Sequence, residues 1–300
     1  MGDRELQPGD IVQLTDDKGR HHTLILAPGA AFHTHRGSIA HDDLLGRPEG
    51  IVVSSSGGTA YVALRSLLED FVLSMPRGAA VIYPKDAARI SMLTGLRPGW
   101  RVLEAGAGSG ALTCTLLQAV GSTGEVVSVE RRPDFAATAD SNVTRWWGEH
   151  PDNWTLLVGD VADRPWAPAP PFDAVVLDML DPWLHIEAVH AALRPGGVLV
   201  VYVATTTQLS RVAEDLRSSG GWTEPRAEES LVRTWHLEGL AVRPDHRMIG
   251  HTGFLLTVRR LADGTVAPPR RRRPAKAAAT AAAGARRADC RVLWVGSMST

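Results

Sequence analysis

The chain has 300 residues, a formal net charge of −1 and 44% hydrophobic residues, the profile of a globular protein with a sizeable core. No apolar run approaches the roughly 18 residues that cross a bilayer, and no charged-then-apolar leader opens the chain, so neither a membrane span nor a signal peptide is expected. Cys114 and Cys290 show no metal or redox spacing, which makes the cytoplasm the expected compartment. The charge is uneven: eight cations (Arg270 to Arg273, Lys276, Arg286, Arg287, Arg291) against Asp263 and Asp289 give residues 263–300 a charge of +6, leaving −7 on the rest. Any nucleic-acid surface on such an acidic body must be a local patch.

From Leu6 to about Asp70, turn signals such as Asp17-Lys-Gly19 and Ser56-Gly-Gly58 punctuate short β-branched runs. They predict strands over Ile11–Leu14, His22–Leu26, Gly50–Ser54 and Ala60–Arg65, a small all-β module. His33, His35 and His41 fall in this module within Phe32 to Asp43, a stretch read as a polar loop with no metal, because further clear ligands are missing. Pro84 blocks helix before it, and Asp86 is placed to cap a helix over Ala87–Leu93.

The informative stretch is Arg101-Val-Leu-Glu-Ala-Gly-Ala-Gly-Ser-Gly-Ala-Leu-Thr113. It reads as a buried strand, a turn built on Gly106, Gly108 and Gly110, and a helix over Ala111–Val120. Glycines allow φ > 0 and close approach of a ligand, and the helix start offers unpaired N–H groups. Gly106, Gly108 and Ala111 also satisfy the dinucleotide fingerprint, and Glu130, ending the next strand, suits a ribose in either cofactor class. Acids further on separate the two. Asp160 follows a third strand over Thr155–Val158, and Asp178 ends a fourth over Phe172–Leu177. Arg194-Pro-Gly-Gly197 turns into a fifth over Val198–Tyr202, and Glu228–Leu237 with Phe254–Arg260 should close the sheet as an antiparallel pair. Helices are expected over Pro133–Trp147, Trp183–Leu193 and Gln208–Ser218. The alternation gives an α/β fold with a mostly parallel sheet, whose ligands lie outside the carboxyl ends of the strands. Ser109, Glu130, Asp160, Asp178 and Tyr202 all fall at those ends. An acidic pocket suits a cationic sulfonium better than a pyrophosphate, and the pattern resembles the class I S-adenosylmethionine methyltransferases.

More specifically, the chain resembles the bacterial and archaeal tRNA (adenine-58-N1) methyltransferases, above all the actinobacterial form. The strings that carry the resemblance are His35-Arg-Gly-Ser-Ile-Ala-His-Asp-Asp43, Ser74-Met-Pro-Arg-Gly78, Tyr83-Pro-Lys-Asp86, Glu104 to Thr113, Asp178-Met-Leu-Asp-Pro-Trp183 and His251-Thr-Gly-Phe254. They run in family order over about Leu6 to Arg260. Many members have Pro where this chain has Leu180 and Glu where it has Asp181. The resemblance implies a Rossmann-like, seven-stranded domain over 76–262 behind an N-terminal β domain over 1–75, a homotetramer, tRNA as partner and methylation of N1 of an adenine in the T loop. It implies that Gly106, Gly108, Ser109, Gly110 and Ala111, with the Leu112 and Thr113 N–H groups, hold the methionine end of the cofactor. Glu130 would take the ribose and Asp160 with Val161 the adenine. Asp178 would be the catalytic aspartate, beside the methyl donor, with Tyr83 and Tyr202 lining the base pocket and Arg247 and His251 contacting RNA. Residues 263–300 have no family counterpart and read as a basic, low-complexity, disordered tail. Two alternatives stay open at this point: another class I methyltransferase, acting on isoaspartyl protein or a small molecule, and a non-catalytic tRNA-binding subunit.

Overall fold

The computed structural model describes residues 5–167 and 170–268. The described residues up to Val266 belong to one compact unit. Of the disordered tail expected over 263–300, residues 269–300 fall outside the described residues, while 263–268 are described and include a turn in which Thr265 N–H donates to the Ala262 carbonyl at 3.0 Å. Among the described residues, no helix is long and apolar enough to cross a membrane.

The N-terminal strands are β1 (Ile11–Asp16), β2 (His21–Ile25), β3 (Ala31–Thr34), β4 (Gly37–Ala40), β5 (Ile51–Ser54) and β6 (Ala60–Arg65). An antiparallel sheet runs in the order β2-β1-β6-β5. Period-two alternation sends Val12 and Leu14 of β1 inward, with Val53, Tyr61 and Ala63. Phe32 to Asp43 is not a polar loop: β3 and β4 form a hairpin pairing Phe32 with Ile39 and His33 with Ser38. His33 and His35 are exposed, while buried His41 accepts a hydrogen bond at Nδ1 from the Ala27 N–H at 3.1 Å.

Helix α1 (Leu68–Ser74) and helix α2 (Pro84–Thr94) lead into the second sheet. Asp86 does not cap α2. Pro84 occupies the first turn, where its missing N–H costs nothing, so the helix begins earlier than expected with Tyr83 as its N-cap. Asp86 is instead wholly buried inside the first turn.

The chain then alternates through β7 (Arg101–Ala105), α3 (Ala111–Val120), β8 (Glu125–Glu130), α4 (Pro133–Trp147), β9 (Trp154–Val158), β10 (Phe172–Asp178), α5 (Ile186–Ala192), β11 (Leu193–Val203) and α6 (Thr206–Ser219). It ends in β12 (Arg226–Glu228), β13 (Trp235–Glu238), β14 (Ala241–Pro244) and β15 (Phe254–Arg259). The seven-stranded order is β12-β15-β11-β10-β7-β8-β9, with β7 to β11 parallel and β15 antiparallel to β11. The expected closing pair is only partly right. Arg226–Glu228 pairs with β15, but Trp235–Glu238 turns away to pair with β14 in a separate hairpin. Arg194-Pro-Gly-Gly197 is accommodated inside β11 by a register shift between the Phe172–Leu193 and Ala174–Val198 pairs. The helix expected over Trp183–Leu193 starts as a 3-10 turn, Pro182–His185, before α5.

Strands buried on both faces read as continuous apolar runs. Val102, Val126, Val176 and Val200 pack under α2 and α3, while Leu103, Val127, Val175, Leu177 and Val201 pack against α5 and α6. This alternation decides the site: Glu104, Ser128, Glu130, Asp178 and Tyr202 all fall on the α2–α3 face, at or near the carboxyl ends of their strands.

Candidate active site

The glycine turn between β7 and α3 places backbone where side chains would collide. Gly106 has φ 88, and a Cβ there would sit 1.9 Å from the Asp178 carbonyl oxygen. Only glycine lets β7 end this close to the end of β10. A Cβ on Gly110, φ 81, would lie 3.0 Å from the Ala139 carbonyl oxygen and Val143 Cγ2 of α4, so this glycine serves helix packing. Gly108, φ 55, has room for a Cβ, with Ala79 at 3.8 Å across the cavity mouth.

A cavity of about 370 Å³ opens beside this turn, within the size range of small-molecule sites. Gly106, Gly108, Glu130, Asp160, Val161 and Asp178 line it. Ser109, Gly110, Ala111, Leu112 and Thr113 do not. Ser109 is buried, and its hydroxyl accepts from the Gly78 N–H at 3.1 Å and the Ala79 N–H at 3.3 Å. It thereby holds the Gly78–Ala80 segment over the turn. Ala111, Leu112 and Thr113 are buried in the first turn of α3.

Each acid has a distinct environment. Glu130 bridges the glycine turn to the start of α4: Oε2 accepts from Gly108 N–H at 3.0 Å and Oε1 from Arg132 N–H at 2.9 Å. Asp160 caps a 3-10 turn through Oδ1, accepting from Ala162 N–H at 2.8 Å, and lines the cavity. Asp178 makes no side-chain hydrogen bond or ion pair among the described residues. Burial, with the nearby Glu130 charge adding, pushes its carboxyl up to about 7. Glu104, enclosed behind the turn, accepts from Thr113 Oγ1 at 2.6 Å and Ser128 Oγ at 2.5 Å. Its other oxygen has no partner among the described residues, and burial lifts the carboxyl to about 7 despite those hydroxyls, with Asp178 and Glu130 adding.

Tyr83, Tyr202, Arg247 and His251 do not line this cavity. Tyr202 is the register partner of Asp178 on β11. It is nearly buried, and desolvation pushes its phenol up to about 12, the Thr252 hydroxyl acting the other way and Asp86, Asp178 and Tyr83 adding to the rise. His251 is exposed but engaged: Nε2 faces the Ala204 carbonyl and Nδ1 faces Glu229, each at 2.7 Å. Those two acceptors raise its pKa. Arg247 is exposed in the segment between β14 and β15.

Sequence reasoning missed Ala79, Ala80, Phe135, Leu184 and His185, all of which line the cavity. They arrive from separate loops and helix starts, and no motif joins them. Arg132 lies 3.7 Å over the Phe135 ring and pairs with Asp134, so the rim beside Glu130 is aromatic and cationic. At the other rim Leu180 is exposed and its carbonyl accepts from Gln208 Nε2 at 2.9 Å, which ties the loop to α6.

Two family models match the chain: "TrmI-like N-terminal" over residues 5–53 and "tRNA methyltransferase complex GCD14 subunit" over residues 60–244. The chain is 37% identical over 253 residues to the tRNA (adenine(58)-N(1))-methyltransferase TrmI of Thermus thermophilus, covering 84% of this chain and 97% of that protein. Among solved structures, the tRNA (m1A58) methyltransferase TrmI of Aquifex aeolicus superposes with a TM-score of 0.74 at 26% identity, covering 86% of this chain and all (100%) of that one. A structure titled as a SAM-dependent O-methyltransferase from Thermotoga maritima superposes with a TM-score of 0.80 at 30% identity, covering 89% and 96%. With a family model matched over more than half its length, the chain belongs to the tRNA methyltransferase family described by the GCD14 subunit.

Proposed function

We propose that this protein transfers a methyl group from S-adenosylmethionine to N1 of adenine 58 in the T loop of tRNA. The observation that carries the reading is an unpaired Asp178 carboxyl at the end of β10, on the edge of a cavity lined by Glu130 and Asp160. The residues fit the cofactor. Gly106 lets β7 end against β10, Gly108 leaves open space at the cavity that a side chain would fill, Glu130 can take a ribose, and Asp160 can accept from an adenine amine. A cavity lined by Glu130, Asp160, Asp178 and Asp181 favours a cation. When bound, S-adenosylmethionine supplies a methyl group on a positively charged sulfonium.

The chain's own residues do the rest. Adenine N1 carries a lone pair at neutral pH, so no strong base is needed, but methylation makes the base cationic. Asp178, as a carboxylate, accepts from the exocyclic amine and stabilises that growing charge. It must be deprotonated to do so, which makes a carboxyl lifted to about 7 a titrating group in the working range. Glu130 and the glycine turn hold the donor side, and Tyr83 and Tyr202 receive a base turned out of the T loop.

The wider assembly belongs to the same reading. A separate N-terminal β module is supported by its own apolar core of Leu6, Val12, Leu14, Tyr61 and Ala63, whereas Phe71, Val72 and Met75, just before the proposed residue-75 boundary, pack in the core under α2 and α3. A homotetramer is supported by the β13–β14 hairpin, which leaves Trp235, Leu237, Leu240 and Val242 exposed. Multi-angle light scattering should give four copies, and Leu240→Asp should lower that number. A tRNA substrate is what supports the cytoplasm as its compartment. The test of the reaction is to incubate the protein with labelled S-adenosylmethionine and, separately, tRNA, an isoaspartyl peptide and catechol. Label should enter tRNA alone, as 1-methyladenosine; label in catechol or peptide would replace this reading with one of the other methyltransferase classes.

A further inference from the structure

His185 stands at the cavity with a ring nitrogen that the fold leaves unsatisfied. It closes the 3-10 turn Pro182–His185 and is the N-cap of α5, where its side chain makes no capping hydrogen bond. The side chain is mostly buried, at 14% exposure, and still lines the cavity. Nδ1 itself is buried and has no hydrogen-bond partner among the described residues. Leaving a buried polar atom unpaired is costly, so the group it faces matters.

That group is Asp160. Its Oδ1 lies 3.7 Å from His185 Nδ1, within ion-pair range but too far for a hydrogen bond. The two residues meet because the turn Pro182–His185 packs against the turn Val161–Asp163, which Asp160 caps. Asp160 Oδ1 already accepts from Ala162 N–H at 2.8 Å. Among the described residues, no lysine or arginine pairs with Asp160, and His185 is the side chain in ion-pair range of it. Imidazole carries a proton on Nδ1 in the cationic form and in one neutral tautomer, and a facing carboxylate favours those two forms. A small rotation of the carboxylate toward the ring closes the gap. Ala162 N–H and His185 Nδ1–H then both address Oδ1, and the other oxygen keeps its acceptor capacity for a ligand. One donor leaves a carboxylate free to turn about its Cβ–Cγ bond; two donors from different turns fix its plane.

We propose that His185 is a positioning residue for Asp160, holding that carboxylate so that its remaining oxygen selects a purine bearing a 6-amino group. The inference rests on the cavity binding S-adenosylmethionine with its adenine at Asp160, as proposed above.

The test is binding selectivity, which needs no turnover. Isothermal titration compares S-adenosylhomocysteine with its 6-deamino analogue, which carries hydrogen in place of the amine. Wild-type protein should prefer the amine by about 10- to 100-fold, the size of one hydrogen bond to a charged group. His185→Phe should cut that preference by about 3- to 10-fold through weaker S-adenosylhomocysteine binding, with affinity for the deamino analogue nearly unchanged. His185→Asn, whose amide N–H can stand in for Nδ1–H, should restore most of the preference. In an Asp160→Ala background His185→Phe should change the preference no further, because the carboxylate it acts through is gone. A preference kept in His185→Phe and lost in Asp160→Ala would overturn the inference alone. So would an equal loss of both ligands in His185→Phe, the mark of a purely structural role. Wild-type protein that binds both ligands equally, or neither, would instead remove the placement of the cofactor adenine at Asp160, and the inference with it.

Discussion

Replacing Asp178 tests the electrostatic account and its structural origin together. The carboxyl sits at the end of β10 with no cationic partner among the described residues, and burial with the Glu130 charge lifts it to about 7. A unit charge about 4 Å from a developing positive charge is worth about 4 kcal/mol at an effective dielectric near 20. Asp178→Ala, which loses both charge and acceptor, should therefore slow single-turnover methylation on the order of 100- to 1,000-fold. Asp178→Asn keeps an acceptor without the charge and should fall between Ala and wild type. Affinity for S-adenosylmethionine should stay within a few fold in both. The pH dependence gives an independent reading. Wild-type rates should rise with pH as Asp178 deprotonates near 7, and Asp178→Asn should be flat over that range. Stability should move the opposite way. A carboxyl lifted in the folded state from 3.8 to about 7 costs the fold nothing below about pH 4 and progressively more as pH rises toward 7. The ligand-free Asn variant should thus melt higher than wild type at pH 8, by at most about 4 kcal/mol of stability, and equally at pH 4. Wild-type single-turnover rates in Asp178→Asn would remove the charge argument, and wild-type rates in Asp178→Ala would remove Asp178 from the chemistry.

Gly106→Ala should abolish S-adenosylhomocysteine binding in isothermal titration, because its Cβ would overlap the Asp178 carbonyl at 1.9 Å, and a measurable affinity near wild type would contradict that packing. Gly108→Val should remain folded by circular dichroism yet lose cofactor affinity, since the Cβ space is open to the cavity but φ 55 and the branch both intrude on the ligand path. Gly253→Ala should lower turnover while leaving cofactor affinity intact, by pushing against the Tyr202 ring at 2.3 Å; unchanged turnover would mean that Tyr202 can move without consequence. Truncation after Val266, the end of the compact unit, should keep turnover at moderate salt and reduce the salt dependence of tRNA binding, and a hundredfold loss at every salt concentration would show that the basic segment has a direct role.

Much of the parallel sheet was legible because its strands are buried on both faces and read as apolar runs between glycine turns and acids. Glu130, Asp160 and Asp178 could be placed at strand ends from that pattern alone, and they line one cavity. The β3–β4 hairpin was hidden because His33, His35 and Arg36 break the alternation that would have marked it. The stretch after β12 misled for the opposite reason. Leu231 and Val232 look like strand, but both are exposed, and the Gly239-Leu240 turn gives Trp235–Glu238 a local partner in β14. Asp86 looked like a cap because its partner Thr252 lies 166 residues away, beyond any local pattern. Ser109 and the Leu112–Thr113 turn were assigned to the cofactor from the glycine motif, whereas Ser109 holds the Gly78–Ala80 segment and Thr113 holds Glu104. Phe135 and His185 reach the cavity through the approach of separate loops, which composition and spacing do not encode.

The central claim is methylation of one atom of one nucleotide. A methyl group on N1 of adenine blocks base pairing, so reverse transcription of treated tRNA reports the position directly. Transcribed tRNA incubated with the protein and S-adenosylmethionine should stop reverse transcriptase at adenine 58, with no stop in Asp178→Ala reactions or in tRNA carrying guanine at 58. Read-through at 58 by enzyme-treated wild-type tRNA, under conditions where cofactor binds, would contradict the account.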